Sequence, residues 1–227
     1  MNIQTKNLSK EFRTDSVMTR ALNNVSLDIK DGDFVAIMGP SGCGKSTLLN
    51  ILGLLDNPSG GEYYLDGEEV GRLRESERTR WRKGRIGFVF QSFNLIKEMN
   101  IRDNIMLPLN NLDMPAAEKR RRVEEVMQRM GIAHRSLHYP NQLSGGQQQR
   151  AAIARAIVAR PGLILADEPT GNLDSRNGAE VMALLSELHR EGATIVMVTH
   201  SQKDAMNADY IINLFDGQIV ETLNERM

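Results

Sequence analysis

The chain has 227 residues, of which 41% are hydrophobic and 25% charged, and its formal net charge is −1. This length is enough for one sizeable core with a smaller lobe, so we expect a single catalytic domain over residues 1–227. The charge excludes the global basic field that draws a protein to nucleic acid. The single cysteine, Cys43, excludes an internal disulfide and a cysteine-rich zinc site.

The apolar runs of the sequence are shorter than the length of about 20 residues that a transmembrane helix needs. The N-terminus also carries no signal pattern of charged, apolar and small residues. We therefore expect a cytosolic chain that does not form a transport path by itself.

The first motif follows an apolar run at 34–38, which is typical of a buried strand. It fits the phosphate-loop pattern G-x-x-x-x-G-K-[ST] and consists of Gly39, Pro40, Ser41, Gly42, Cys43, Gly44, Lys45, Ser46 and Thr47. Glycines let backbone N–H groups close round phosphate oxygens, Lys45 can reach the β- and γ-phosphates, and Ser46 offers a hydroxyl to Mg²⁺. A helix predicted over 47–55 turns its N-terminal dipole toward the anion. The alternative is a flexible glycine-rich turn, and the strand before and helix after the loop disfavour it.

The remaining elements alternate in a way that favours a largely parallel sheet with covering helices. Hydrophobic periodicity between about 94 and 159 predicts helices with breaks at Pro108, Gly131 and Pro140. The other predicted strands are 2–8, 22–29, 62–67, 86–90, 163–167, 194–199, 210–215 and 218–222, and the later predicted helices are 176–190 and 202–207. The turn at Asp216-Gly217 joins the last two strands.

A basic cluster surrounds Trp81, the only tryptophan, and is interrupted by Glu75 and Glu77. Its members are Arg72, Arg74, Arg78, Arg80, Arg82, Lys83 and Arg85. A solvated helix face with mixed ion pairs is the favoured interpretation. Contact with membrane headgroups or with an acidic partner loop is the alternative.

Three further sites in the second half of the sequence have the residue types that phosphate chemistry uses. The pentapeptide Leu143-Ser144-Gly145-Gly146-Gln147 precedes a helix predicted to begin near Gly146, so Ser144 is at least a helix N-cap. Asp167 and Glu168 end an apolar strand, and His200 ends another, at the strand ends where open α/β sheets place ligands.

The pentapeptide, about a hundred residues after a phosphate loop, resembles the signature of the ATP-binding-cassette (ABC) ATPases, and residues 148–156 continue as that family expects. The resemblance covers nearly the whole chain. It implies an α/β fold with a P-loop NTPase (RecA-like) core, an antiparallel β-subdomain and an α-helical subdomain at about 92–160. It also implies a head-to-tail homodimer that binds ATP between the phosphate loop of one chain and Ser144, Gly145, Gly146 and Gln147 of the other.

The resemblance further implies an ATPase that converts ATP and water to ADP and phosphate, with specific roles for single residues. Asp167 is expected to hold Mg²⁺ through water, Glu168 to polarise the attacking water, and His200 to act at the switch position. Gln91 is expected to touch both Mg²⁺ and the transport partner, and Asp174 belongs to the loop that crosses the dimer interface. Phe12 stands where the family stacks an aromatic on adenine, most often tyrosine; the alternative is a core phenylalanine. A structural role for His200 also stays open.

Residues 85–95 and 167–175 are similar to the branch of lipoprotein-release (LolD), macrolide-efflux (MacB) and antimicrobial-peptide-resistance ATPases, with the Gly171-Asn172 pair the most telling detail. The cell-division ATPase FtsE is a neighbouring possibility. This branch implies an ATPase on the cytoplasmic side of the inner membrane that drives export or extraction through a permease of the MacB/LolE-like type. The alternatives are a soluble ABC ATPase acting on DNA or ribosomes and a regulatory module without turnover. Intact Lys45, Asp167, Glu168 and His200 disfavour the regulatory module.

Overall fold

The computed structural model describes residues 1–13 and 18–224. Its strands are β1 (Ile3–Arg13), β2 (Met18–Ile29), β3 (Phe34–Met38), β4 (Gly60–Leu65), β5 (Glu68–Glu69), β6 (Ile86–Phe90), β7 (Leu163–Asp167), β8 (Thr194–Val198), β9 (Tyr210–Phe215) and β10 (Gln218–Asn224). Its α-helices are α1 (Lys45–Leu52), α2 (Glu75–Arg82), α3 (Ile101–Asn110), α4 (Ala116–Arg129), α5 (Gly145–Ile157), α6 (Ser175–Arg190) and α7 (Gln202–Ala205).

The first compact unit consists of Met1–Arg82 and Leu188–Met227, of which residues 14–17 and 225–227 are not described. It contains an antiparallel sheet in the order β2-β1-β4-β5 and, separately, strands in the order β10-β9-β3-β8. Strand β3 is parallel to both β8 and β9. Strand β8 is buried along its whole length, and after Thr194 its residues form a continuous apolar run, as is typical of buried parallel strands.

The second compact unit is Lys83–Glu187. Strands β6 and β7 pair in parallel within it, and α5 packs against β6, α3 and α4. The face of α5 that makes these contacts is rich in alanine, with Ala151, Ala152 and Ala154 fully buried. These small side chains allow close approach of the neighbouring helices and strand.

The mixed α/β architecture with an antiparallel β-subdomain confirms the predicted fold class. Strands β3 and β6 occupy the residues predicted for them, 34–38 and 86–90. The predicted break at Pro108 is wrong, because Pro108 lies inside α3. The helix ends two residues later, so the missing proline N–H removes only a hydrogen bond near its C-terminus. Helix α1 ends at Leu52 rather than 55, and Leu54 already has a left-handed backbone with φ 55°.

Tyr63 joins the antiparallel sheet to the C-terminal end of α1. Its side chain is fully buried on β4, and its hydroxyl donates to the Leu52 carbonyl oxygen at 2.6 Å. Burial raises the pKa of Tyr63 far above its usual value, so the hydroxyl keeps its proton and remains a donor. This hydrogen bond satisfies one of the carbonyl groups that the end of a helix leaves unpaired.

We predict that Tyr63→Phe lowers the free energy of unfolding by about 1–3 kcal/mol, because a buried carbonyl loses its donor while the ring stays in place. Urea unfolding followed by circular dichroism measures the change. Tyr64→Phe is the matched control, since the Tyr64 hydroxyl donates to the more exposed Glu62 carboxylate at 3.0 Å. The control should change stability by less than about 0.5 kcal/mol; equal losses in the two variants would contradict the role of Tyr63.

Candidate active site

The phosphate loop leads directly from β3 into α1. Gly44 is the N-cap of α1, no side chain caps the helix, and its first turn contains no acidic residue. The N–H groups of the first turn therefore lack a capping side chain, and together with the helix dipole they favour a bound anion. The loop has the local structure that its sequence predicted.

Gly44 is required by both its backbone angle and its surroundings. Its φ is 103°, a conformation that residues with a side chain rarely adopt. A Cβ built at this position would lie 2.3 Å from the Ala21 carbonyl oxygen of β2. The loop therefore passes against the backbone of β2 at a distance that only glycine permits.

The ammonium group of Lys45 lies within the loop. Its Nζ donates to the carbonyl oxygens of Gly39 and Pro40, both at 2.8 Å, and lies 3.8 Å from the Cys43 Sγ. Lys45 and Cys43 are buried, whereas Ser41, Gly42 and Ser46 are exposed. Because the hydrogen-bond acceptors of this buried cation within the loop are neutral carbonyl oxygens, it gains from a charged phosphate oxygen at the same place.

His200 follows the strand next to the phosphate loop. Ile37 of β3 pairs with Val198 of β8, and the Thr199 N–H donates to the Ile37 carbonyl at 3.2 Å. Because parallel strands have their carboxyl ends at one edge, the loop after β3 and His200 after β8 begin at the same edge of the sheet. His200 is exposed there, as a residue that reaches a bound ligand must be.

Phe12 lies on β1 with 47% of its surface exposed, so it is not a core residue. The Lys10 Nζ lies 5.1 Å from the centroid of the Phe12 ring, at cation–π distance. No pattern in the sequence pairs these two residues. An exposed ring held by a neighbouring cation is compatible with base stacking.

In the second unit, strand pairing sets Gln91 and Glu168 at neighbouring strand ends. Phe90 of β6 pairs with Asp167 of β7, and Gln91 and Glu168 are the next residues along each strand. Glu168 has a φ of 44°, and its carbonyl accepts the Gly171 N–H at 3.0 Å. A non-glycine residue in the left-handed region stores strain, which proteins concentrate at functional sites.

The Gly171-Asn172 pair contacts Gln91 directly. The Asn172 Nδ2 donates to the Gln91 carbonyl oxygen at 3.0 Å, and a Cβ at Gly171 would lie 2.5 Å from the Gln91 Nε2. The absence of a side chain at 171 therefore leaves space for the Gln91 amide. The sequence singled out this pair only as a mark of the branch, and the structure adds a physical reason for both residue types.

The signature pentapeptide forms the start of α5. Ser144 is the N-cap, its Oγ accepts the Gln147 N–H at 3.4 Å, and the Gln147 Oε1 accepts the Ser144 N–H at 3.1 Å. This reciprocal pair is a capping box. The predicted N-cap at Ser144 is confirmed, and the helix begins at Gly145, one residue earlier than predicted.

Two side chains of α5 that sequence reasoning missed reach the loops after β6 and β7. The Gln149 side chain is fully buried and donates to the Pro169 carbonyl at 2.5 Å. The Arg155 guanidinium donates to the carbonyls of Phe93 at 2.9 Å and Asn94 at 2.5 Å. No local pattern could have identified these contacts, since the partners are distant in sequence.

Arg155 holds a strained piece of backbone. Phe93 and Asn94 have φ values of 62° and 48°, two consecutive non-glycine residues in the left-handed region. Burial lowers the pKa of Arg155, yet a guanidinium starts from so high a pKa that it stays charged at neutral pH. Its charge-assisted hydrogen bonds stabilise the unusual conformation directly after Gln91.

Asp174 directly precedes α6 and caps the start of that helix. Its carboxylate accepts the N–H groups of Arg176 at 3.0 Å and Asn177 at 2.9 Å, and the Asn177 Nδ2 at 2.6 Å. These hydrogen bonds, those from Asn177 above all, hold the pKa of Asp174 below its usual value. A direct role at a nucleotide stays a prediction.

The side chains assigned to Mg²⁺ suit that ion chemically. Within residues 1–13 and 18–224, no group of three or more His, Cys, Asp and Glu side chains could hold a metal. The predicted set of Ser46, Gln91 and Asp167 supplies a hydroxyl, an amide and one carboxylate. Mg²⁺ prefers oxygen ligands, keeps several waters and uses one or two carboxylates, so the set fits.

None of the helices within residues 1–13 and 18–224 is both long enough and apolar enough to cross a bilayer.

The phosphate loop between β3 and α1, the parallel strands beside it and the two acidic residues at the end of β7 define a P-loop nucleoside triphosphatase. Comparison with known proteins resolves the class further. Residues 22–171 match the family model described as ABC transporter. The chain belongs to the ATP-binding proteins of the ABC transporter family.

Relatives support this assignment over the full chain. The chain is 48% identical to the uncharacterized ABC transporter ATP-binding protein MJ1508 of Methanocaldococcus jannaschii, over 98% of this chain and 100% of that protein. It is 45% identical to YknY of Bacillus subtilis, over 96% of this chain and 95% of that protein. It is 46% identical to the macrolide export ATP-binding/permease protein MacB of Brucella melitensis, over 99% of this chain but 35% of MacB. The chain thus spans about a third of that longer relative.

A solved structure gives the same result. The ATP-binding cassette MJ0796, in a dimeric post-hydrolysis state bound to ADP and Pi, superposes with a TM-score of 0.92 at 44% identity, and 99% of each chain is covered. The chain is accordingly an ABC-type ATPase that binds and hydrolyses ATP.

We predict that Arg155→Lys speeds hydrogen exchange at the amides of Phe93 and Asn94, because one ammonium cannot replace a guanidinium that spans two carbonyl oxygens. Hydrogen–deuterium exchange with mass spectrometry of peptides covering residues 91–96 measures the effect. Arg176→Lys is the control, since Arg176 is exposed and pairs only with Glu180 on its own helix. If exchange is unchanged in Arg155→Lys, Arg155 does not stabilise the backbone at Phe93 and Asn94.

Proposed function

We propose that the chain is the ATPase subunit of an ABC transporter that drives export or extraction of a substrate through a permease of the MacB/LolE-like type. Residues 1–227 form its single ATPase domain, with a helical subdomain at about 92–160. It works as a head-to-tail homodimer on the cytoplasmic side of the inner membrane and binds no nucleic acid. The observation that carries the proposal is that the chain has a second glycine-rich helix N-terminus, that of α5, in addition to the one at the phosphate loop.

Each nucleotide of the dimer lies between two chains. The loop from Gly39 to Thr47 of one chain binds the phosphates, and residues 144–147 of the other approach the γ-phosphate with the N-terminus of α5. Phe12 stacks on the adenine, and Asp174 belongs to the loop at the interface. The dimeric state of the MJ0796 cassette supports this arrangement.

The catalytic roles follow from the chemistry of the side chains. Lys45 exchanges the neutral carbonyls of Gly39 and Pro40 for β- and γ-phosphate oxygens when ATP binds. Glu168 accepts a proton from the attacking water, and His200 stabilises charge on the γ-phosphate in the transition state. Ser46, Gln91 and Asp167 hold Mg²⁺, which supplies charge neutralisation on the phosphate oxygens.

The permease is the part of the proposal that the relatives support most specifically. MacB is named as a macrolide export ATP-binding/permease protein, and this chain matches about a third of its length. In the proposed complex, a membrane protein supplies the permease activity. It docks on this chain near residues 92–109, beside Gln91.

We predict that Glu168→Gln keeps ATP affinity, lowers turnover by about 10²- to 10⁴-fold and accumulates as a dimer, because only the proton acceptor is removed. Light scattering at saturating MgATP and a phosphate-release assay provide the readouts. The double variant Lys45→Ala/Glu168→Gln is the control and should stay monomeric. A monomeric Glu168→Gln with bound ATP would refute the dimer proposal.

We also predict that the tagged chain, purified from gently solubilised membranes of its host, retains a stoichiometric permease with few spans and a large extracytoplasmic domain. Mass spectrometry identifies the partner. Lys45→Ala should retain the permease, since docking does not require ATP at the phosphate loop. Recovery of ribosomes or nucleic acid in place of a membrane protein would favour the soluble alternative.

A further inference from the structure

Helix α2 and the three residues before it carry a local excess of positive charge. Residues 72–82 contain five arginines and two glutamates, whereas the whole chain has a net charge of −1. The excess is therefore a property of this segment and not of the protein's composition. Neither ATP binding nor hydrolysis, as described above, uses it.

The two glutamates neutralise only the inner part of the segment. Glu75 pairs with Arg78 and, at 3.4 Å, with Arg82. The Glu77 carboxylate accepts the backbone N–H of Arg74 at 2.8 Å and so serves as a helix cap. Arg78 is 9% exposed and Arg82 half-buried, so these paired arginines belong to the side of α2 that faces the protein.

Three arginines remain on the outer side. Arg72, Arg74 and Arg80 are exposed, and their guanidinium groups make no ion pair or hydrogen bond with any residue that the structure describes. Trp81, half-buried, follows Arg80 directly. We call Arg72, Arg74, Arg80 and Trp81 the α2 basic surface.

The α2 basic surface is held in place by a hydrogen bond to the end of α1. The Arg82 Nη1 donates to the Leu54 carbonyl, just beyond the C-terminal end of α1, and so ties α2 to the helix that begins at the phosphate loop. Leu55, the next residue, is 40% exposed. The segment that carries the exposed guanidinium groups and Trp81 is thus anchored one residue before the exposed Leu55.

We infer that the α2 basic surface binds the anionic headgroups of a phospholipid bilayer. Guanidinium groups bind phosphate in a bidentate manner, and a tryptophan ring suits the boundary between headgroups and acyl chains. Trp81 and the exposed Leu55 add apolar surface beside the positive charge, which favours a bilayer over a purely acidic polypeptide. This lipid contact goes beyond the proposed permease docking, and the chain alone suffices to test it.

The test measures binding of the purified chain to phosphatidylcholine vesicles with and without phosphatidylglycerol, by sedimentation at low ionic strength. We expect binding that requires phosphatidylglycerol and weakens as salt is added. The variant Arg72→Gln/Arg74→Gln/Arg80→Gln should lose about a hundredfold in partition coefficient and fall to the level on phosphatidylcholine. Unchanged thermal unfolding of the variant shows that the fold is kept.

The matched control removes three positive charges from other parts of the chain and is the variant Lys119→Gln/Arg120→Gln/Lys203→Gln. In the wild type, these three side chains also make no ion pair with described residues. This control should keep vesicle binding. An equal loss in both triple variants would overturn the proposal, because binding would then follow net charge alone. Equal binding of the wild type to both vesicle types, or to neither, would overturn it as well.

Trp81 gives an independent readout because it is the only tryptophan. Its fluorescence should shift to shorter wavelength with phosphatidylglycerol vesicles and be quenched by brominated acyl chains. Polyglutamate and single-stranded DNA serve as competing polyanions. Absence of quenching, or the same affinity for either polyanion as for the vesicles, would show that the surface is not a lipid site.

Discussion

The left-handed backbone at Gly44 is the constraint on which the first unit depends. It lets the phosphate loop pass against the Ala21 carbonyl of β2 and turn directly into α1. The other end of α1 is held by the Tyr63 hydroxyl of β4. Both ends of this helix are therefore fixed by the antiparallel sheet, so the β-rich part of the fold positions the amides that bind phosphate.

In the second unit, side-chain hydrogen bonds rather than a glycine stabilise unusual backbone conformations. Glu168, Phe93 and Asn94 have backbone angles that are unfavourable by themselves. Donors from α5 and from Asn172 satisfy carbonyl groups in the two loops that contain them. These hydrogen bonds offset the backbone strain at Glu168, Phe93 and Asn94 and hold the two loops, one of which also contains Gln91.

Much of this arrangement was predictable because it is encoded locally. The apolar runs at 34–38 and 86–90 predicted their strands, and Asp216-Gly217, with φ values of 44° and 74°, forms the turn that its residue types indicate. The contacts of Arg155 with Phe93 and Asn94 span about sixty residues, and that of Asn172 with Gln91 spans 81. Such pairs leave no periodic pattern in a sequence. The helix break predicted at Pro108 was wrong for a different reason. Proline disrupts the interior of a helix, but it has little effect near a helix end.

The anchoring of both loops to α5 also limits how the second unit can move. Gln149 connects the helix to the loop after β7, and Arg155 connects it to the loop after β6. Ser144 is the N-cap of the same helix. Because all three residues belong to α5, a rigid-body displacement of this helix would move Ser144 together with the loops that bear Gln91 and Glu168.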